Sequence, residues 1–411
     1  MIGTGVFTTL GFQLLDIQSG FALIMLWVVG GITALCGALS YAELGAAMPR
    51  SGGEYNFLSR TLHPMAGFIS GWVSATIGFA GPTALAALTF GSYLGSVFDI
   101  LSPVWLATGL VIVVTFVHST NRKASAGLQQ VVTILKIALI IVFSAAALYF
   151  APELQPISFI PAASDLTALS GGAFAVALIY VNYAYSGWNA ATYLSGELAS
   201  PQHSLPRVLF LSTATVMALY VLLNFVFLSV APVDAMAGRV EIGYVAAQYA
   251  FGPVGASAMG IMLGLLLIST VSAMTMAGPR VLQMIGEDFS LFRILGRTNK
   301  HGVPAMAIYF QSALALIFLW TASFDSILVF AGATLALNTF FTVGGLFLMR
   351  WRMPDLERPY KTWGYPFPPL IFLGIVGWTL VYTVMNRPVE ALFSAGVILT
   401  GSVFYWISRR V

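Results

Sequence analysis

The chain has 411 residues, of which 58% are hydrophobic and 8% charged, with a formal net charge of +3 and a mean hydropathy of +0.89. An average soluble domain carries roughly 25% charged residues, so this composition excludes a chain that faces water on all sides. The lone cysteine, Cys36, lies inside an apolar run and has no partner for a disulfide or a thiolate metal site.

In chain order, the apolar runs are of a length to cross a hydrocarbon core of about 30 Å at about 1.5 Å per residue. A half-length run, Val6–Leu15, comes first. Full spans are predicted near Gly20–Ala42, Gly67–Phe98, Val104–His118, Gly127–Phe150, Ala173–Leu198 and Val208–Ala231. The series continues with Val254–Val281, Val303–Ala322, Ile327–Met349, Leu370–Val384 and Glu390–Ile407, giving eleven complete spans and one half. The polar stretches Gly286–Gly302 and Arg350–Pro369 read as loops with room for a short surface helix. Alternating the loops between two sides puts fifteen Lys and Arg residues, from Arg50 to Arg410, on one side and only Arg239 and Arg387 on the other. The first side, which includes the C-terminus, is therefore expected to be cytoplasmic.

The first segment opens with Met1-Ile2-Gly3-Thr4-Gly5 and has only about ten helical residues, about 15 Å, before Asp16. That places a charged amino group near the bilayer centre, at a cost of several kcal/mol. The expectation is a truncated first helix, with half of it preceding this chain; the alternative is a segment that is merely interfacial.

Two spans carry glycine-rich breaks: Gly3-Thr4-Gly5 in the first, and Tyr183-Ala184-Tyr185-Ser186-Gly187-Trp188-Asn189 in the sixth. They are five spans apart. An odd offset makes two five-helix units run in opposite directions, the pattern of an inverted repeat with discontinuous helices at the midplane. Backbone groups freed at such breaks are tolerated where they line a cavity. The competing explanation is close helix packing through small residues. A helix starting near Val6 offers free N–H groups and a positive dipole end to a carboxylate. Carbonyls freed around Tyr183 to Ser186 accept from an ammonium, so a zwitterion fits both ends.

Lys136 is the only charged residue deep in a span, thirteen residues from both Lys123 and Tyr149. At about 20 Å from either flank it is too far from water to snorkel, and no acid lies at comparable depth. It reads as a fixed or proton-exchanging cation facing a cavity or a broken helix; the alternative is a structural lysine bonded to carbonyls. Glu43, Glu197 and His118 sit near cytoplasmic ends, where a solvated or gate-stabilising role is expected. No metal-ligand spacing, Ser-His-Asp set or phosphate-binding loop occurs. Neither a metal, a cofactor, nor enzymatic activity is expected, and no nucleic-acid partner.

At these residues the sequence resembles the amino acid–polyamine–organocation superfamily, and within it the bacterial relatives of the L-type amino acid transporters. Ile2-Gly3-Thr4-Gly5-Val6-Phe7 is similar to that family's first-helix signature, and Tyr183–Asn189 to its sixth-helix signature, followed by Glu197, Pro201, Pro206 and Arg207. The stretch Gln129–Ile141 around Lys136 also matches. The resemblance implies that Thr4 and Gly5 meet the substrate carboxylate, with Ile2 and Gly3 also in the substrate site. It implies that carbonyls of Met1, Tyr183 and Ser186 meet its ammonium, and that Ala184, Gly187 and Asn189 lie beside it. Tyr183 would be the aromatic gate, and Lys136 would take the place of a sodium site as the coupling residue.

The fold expected is an all-α membrane protein of LeuT type. Residues 1–150 would form the first repeat, 170–349 the second, and 368–408 two further helices. The function expected is Na⁺-independent amino acid transport by alternating access, through proton symport or exchange, in a plasma or bacterial inner membrane. A polyamine or cationic amino acid carrier is the alternative, and a channel or membrane-embedded enzyme the rival class. The partners expected are an amino acid, the lipid bilayer and protons, with no obligatory protein partner.

Overall fold

The computed structural model describes residues 2–98, 102–120, 126–197 and 200–408. Among these all regular secondary structure is helical, with no strand, as a bilayer requires of backbone that must satisfy its own hydrogen bonds. Among the described residues nine helices are long and apolar enough to cross a membrane, and the pair Ala163–Ser170 and Gly172–Tyr185, bent by 66°, makes a tenth when taken as one broken span. The shorter apolar helix Ala305–Thr321 occupies the place of one further predicted span.

Element ends follow local chemistry. Ser19 caps Gly20–Ala47 by accepting from the Ala22 N–H, and Ser323 caps Phe324–Arg352 by accepting from the Ser326 N–H. The helix Ile242–Asp288 runs for 47 residues, about 70 Å if straight. It is two helices, because Gly252 has φ 72° and ψ −171° and Pro253 follows it. The predicted span beginning at Val254 starts at that break. One feature has no counterpart in the predicted spans: a π-helical segment, Ser74–Gly78, interrupts the run from Pro64 to Val97. Such segments cluster at functional sites.

Burial separates an inner from an outer layer. In Pro64–Val97, 89% of the apolar window is buried, against 22% in Pro388–Ser408 and 28% in Gln130–Phe150. The outer helices turn Ile134, Leu135, Val142, Leu392 and Phe393 outward, where lipid is the solvent. Inside, small residues let backbones approach. A Cβ on Gly30 would stand 2.4 Å from Val181 Cγ1, and one on Gly37 would stand 2.8 Å from the Trp188 ring. The helix Gly20–Ala47 is thereby seated against the sixth predicted span.

Ion pairs fix both ends of Phe324–Arg352. At its C-terminal end Arg350 clasps Glu43 through Nε at 2.9 Å and Nη2 at 2.7 Å, and the Thr362 N–H donates to the same carboxylate at 2.7 Å. Glu43 is fully buried. The solvated placement expected for it is corrected: a charge this deep persists because a guanidinium and an amide satisfy it. At the other end Asp325 accepts from Tyr180 Oη at 2.9 Å and pairs with Arg387, which also holds Glu390 at 2.8 Å. Phe12 stacks on Phe324 with ring centroids 5.6 Å apart and touches Tyr180 at 6.1 Å, closing that end of the molecule with aromatic rings.

Candidate functional site

The two glycine-rich breaks meet. Gly5–Thr8 begins directly after the non-helical Ile2-Gly3-Thr4, and Gly172–Tyr185 ends at Ser186 and Gly187, which has φ 92°. A positive φ of this size suits glycine and stops the helix. The chain resumes as a 3₁₀ segment, Trp188–Glu197. A Cβ on Gly5 would lie 2.4 Å from Ala184 Cα. Gly5 is thus required by the crossing of the two broken helices, so the close-packing explanation and the broken-helix explanation apply at the same residue.

Around that crossing lies a cavity of about 260 Å³, just below the roughly 300–1,000 Å³ of drug-sized ligand sites. Ile2, Gly3, Thr4, Gly5, Tyr183, Ala184, Ser186, Gly187, Asn189 and Lys136 all line it. Met1 and the Glu197 side chain lie outside the described residues. The backbone is partly committed already. The Thr4 carbonyl accepts from the Phe7 N–H at 2.9 Å, the Tyr183 carbonyl from the Ser186 N–H at 2.9 Å, and the Gly3 backbone bonds to the Tyr220 hydroxyl. Tyr183 is buried on the cavity wall, as is Thr4 from the other break.

Lys136 is 8% exposed, on a helix that is otherwise mostly outward. Its Nζ donates to the Ile2 carbonyl at 3.2 Å and to Thr270 Oγ1 at 2.8 Å. It therefore links Ala126–Phe150 to the start of the first break and to Ile242–Asp288. Among the described residues no carboxylate pairs with it. His118 bonds to Ser272 at 2.7 Å, away from the cavity lining.

Three features were not anticipated from the sequence. The π-helical segment brings Gly78 and Phe79 to the cavity wall. Tyr185 also lines the cavity while its hydroxyl donates to the Trp27 carbonyl at 2.9 Å and its ring packs on Tyr220 at 5.1 Å, which anchors the second break to Gly20–Ala47. Glu54, the first residue of a short helix Glu54–Thr61, is 1% exposed and accepts from Tyr41 at 3.0 Å and from Asn189. The available signal for Glu54 was an acid directly after Gly52-Gly53, both of which have positive φ.

A cavity at two broken helices inside a multi-pass bundle is the architecture of a membrane transporter, and the sequence agrees. Residues 1–407 match the amino acid permease family, and the chain belongs to it. It is 29% identical to the human large neutral amino acids transporter small subunit 2, over 99% of this chain and 77% of that protein. It is 24% identical to the mouse b(0,+)-type amino acid transporter 1, over 99% and 84%, and 26% identical to the cystine/glutamate transporter of Pongo abelii, over 99% and 82%. These relatives are transporters rather than enzymes, and the architecture is that of an amino acid–polyamine–organocation, LeuT-type membrane protein. A relative named a small subunit belongs by that name to a larger assembly, so the expectation of no obligatory protein partner gains no support from it.

Proposed function

We propose that the protein carries an amino acid zwitterion across a cell membrane by alternating access, without Na⁺, as a proton symporter or an exchanger. The observation that carries this reading is the position of the Lys136 ammonium. It is buried at the cavity and donates to the carbonyl of Ile2, at the first break. A fixed cation there supplies the charge that a bound metal ion otherwise brings to a broken helix. The N–H groups at Thr4 and Gly5 would receive the carboxylate, carbonyls of Tyr183 and Ser186 the ammonium, and Tyr183 would gate the site.

Residues 1–150 and 170–349 would act as the two inverted repeats and 368–408 as a further pair of helices. The loop charges favour a plasma or bacterial inner membrane with the C-terminus in the cytoplasm. The names of the relatives point to neutral, cationic or acidic amino acids. A neutral substrate fits best here, since Glu54 stands behind Asn189 and is not part of the cavity lining. The test is uptake of a labelled amino acid mixture into vesicles of purified protein, with each of the twenty amino acids as competitor. The expected result is competition by a subset, driven either by an imposed pH gradient or by amino acid inside the vesicle. Uptake that no amino acid competes for would overturn the reading.

A further inference from the structure

Glu54 is a buried acid with no cation. Gly52 and Gly53, at φ 113° and 50°, turn the chain so that the short helix Glu54–Thr61 begins against the Trp188–Glu197 segment. A Cβ on Gly53 would stand 3.0 Å from the Tyr193 ring and 3.1 Å from Thr192 Oγ1. Donors from two elements then converge on Glu54. Tyr41 Oη, from Gly20–Ala47, and Asn189 Nδ2 both reach Oε1, and the neighbouring Tyr193 hydroxyl meets Ser74 at 3.2 Å. Among the described residues no Arg, Lys or His pairs with it. Asn189 and Tyr193 line the cavity, whereas Glu54 stands behind them.

This arrangement decides which way an amide points. Asn189 carries two donors and one acceptor oxygen. With Nδ2 committed to Glu54, and no hydrogen bond to Oδ1 among the described residues, the acceptor is the end left for a ligand. We propose that Glu54 is a positioning residue of the amino acid site. It fixes Asn189 so that its carbonyl oxygen meets an N–H or O–H donor of the bound amino acid. The inference rests on the cavity being the substrate site. Glu54 itself touches no substrate.

The experiment measures KM and maximal rate in vesicles for the radiolabelled amino acid that the wild-type protein takes up fastest. Glu54→Leu removes the acceptor and is expected to raise KM about tenfold, the cost of one misdirected buried hydrogen bond, with maximal rate within about twofold. Glu54→Gln keeps an acceptor for Asn189 and is expected to return KM to within about threefold of wild type. In an Asn189→Ala background, Glu54→Leu should add less than about twofold, because the residue it positions is gone. If Glu54→Leu does not yield monodisperse protein, Tyr41→Phe replaces it. That change strips a hydroxyl from the carboxyl at nearly constant volume, and the same Asn189 dependence is expected. Unchanged KM, a Gln variant as impaired as the Leu variant, or effects that multiply with Asn189→Ala would each overturn the proposal. A wild-type protein that takes up none of the twenty amino acids would instead overturn the transporter reading.

Discussion

Glu43 and Glu54 flank one loop, and both are almost completely hidden from solvent. Glu43 is held by two guanidinium nitrogens of Arg350 and by the Thr362 N–H, and it joins Gly20–Ala47 to the far end of Phe324–Arg352. Among the described residues Glu54 meets only neutral donors, Tyr41 and Asn189, and Asn189 is on the cavity wall. Burial alone would rank the two acids together. Their partners separate them: a charge satisfied by an opposite charge belongs to the frame, and one held by neutral groups beside a cavity is free to orient a side chain of the cavity wall, the role proposed for Glu54. Lys136, bonded to a carbonyl and a hydroxyl at the cavity, belongs with Glu54.

The largest effect should come from breaking the frame. Arg350→Ala leaves Glu43 buried without its cation, and stripping one partner of a buried pair costs about 3–5 kcal/mol. Arg350 is itself 21% exposed in its side chain, so the lower part of that range applies. The expected outcome is a sharp loss of folded protein, read by size-exclusion chromatography in detergent, with recovery when Glu43→Leu is added. A folded but inactive Arg350→Ala protein would place Glu43 with the functional acids and dissolve the distinction.

The next effect sharpens the same contrast without charge. Gly5→Ala places a Cβ 2.4 Å from Ala184 Cα, while Gly344→Ala, in Phe324–Arg352, meets nothing within 4 Å. The first substitution should abolish uptake and the second should leave it unchanged. Equal activity of both variants in the vesicle assay would mean that the two broken helices tolerate separation at their crossing.

Lys136→Ala should lower uptake at least about tenfold while leaving purified yield within about twofold, because the bonds it removes, to Ile2 and Thr270, sit at the cavity. Yield falling in step with uptake would return Lys136 to the structural lysines.

The spans were legible in the sequence because lipid demands long apolar runs, and the two breaks because glycine interrupts those runs where a helix should continue. Ten of the positions that the resemblance singled out line one cavity for that reason. The two buried acids were not legible. Glu54 finds Tyr41 across 13 residues and Asn189 across 135, and Glu43 finds Arg350 across 307. Read locally, both are polar residues near a loop. The π-helical Ser74-Ala75-Thr76-Ile77-Gly78 also has the composition of an ordinary helix turn, so its bulge emerges only from tertiary packing.

The smallest expected effect is none: replacing Na⁺ by choline at constant pH should leave uptake unchanged. A sodium site at a broken helix needs oxygen ligands free to surround the ion. At the first break the Ile2 carbonyl already accepts from Lys136, and the ammonium also occupies Thr270 Oγ1. A second cation there would face the repulsion of a fixed positive charge within a few ångströms, in a medium that screens it poorly. The choline swap therefore tests whether Lys136 fills the role of an ion or only borders it. Uptake that falls with Na⁺ removal in the wild type, and loses that dependence in Lys136→Ala, would show the lysine working alongside sodium. Uptake indifferent to Na⁺ in the wild type, but acquiring a Na⁺ requirement in Lys136→Ala, would show the ion entering the space that the lysine had held.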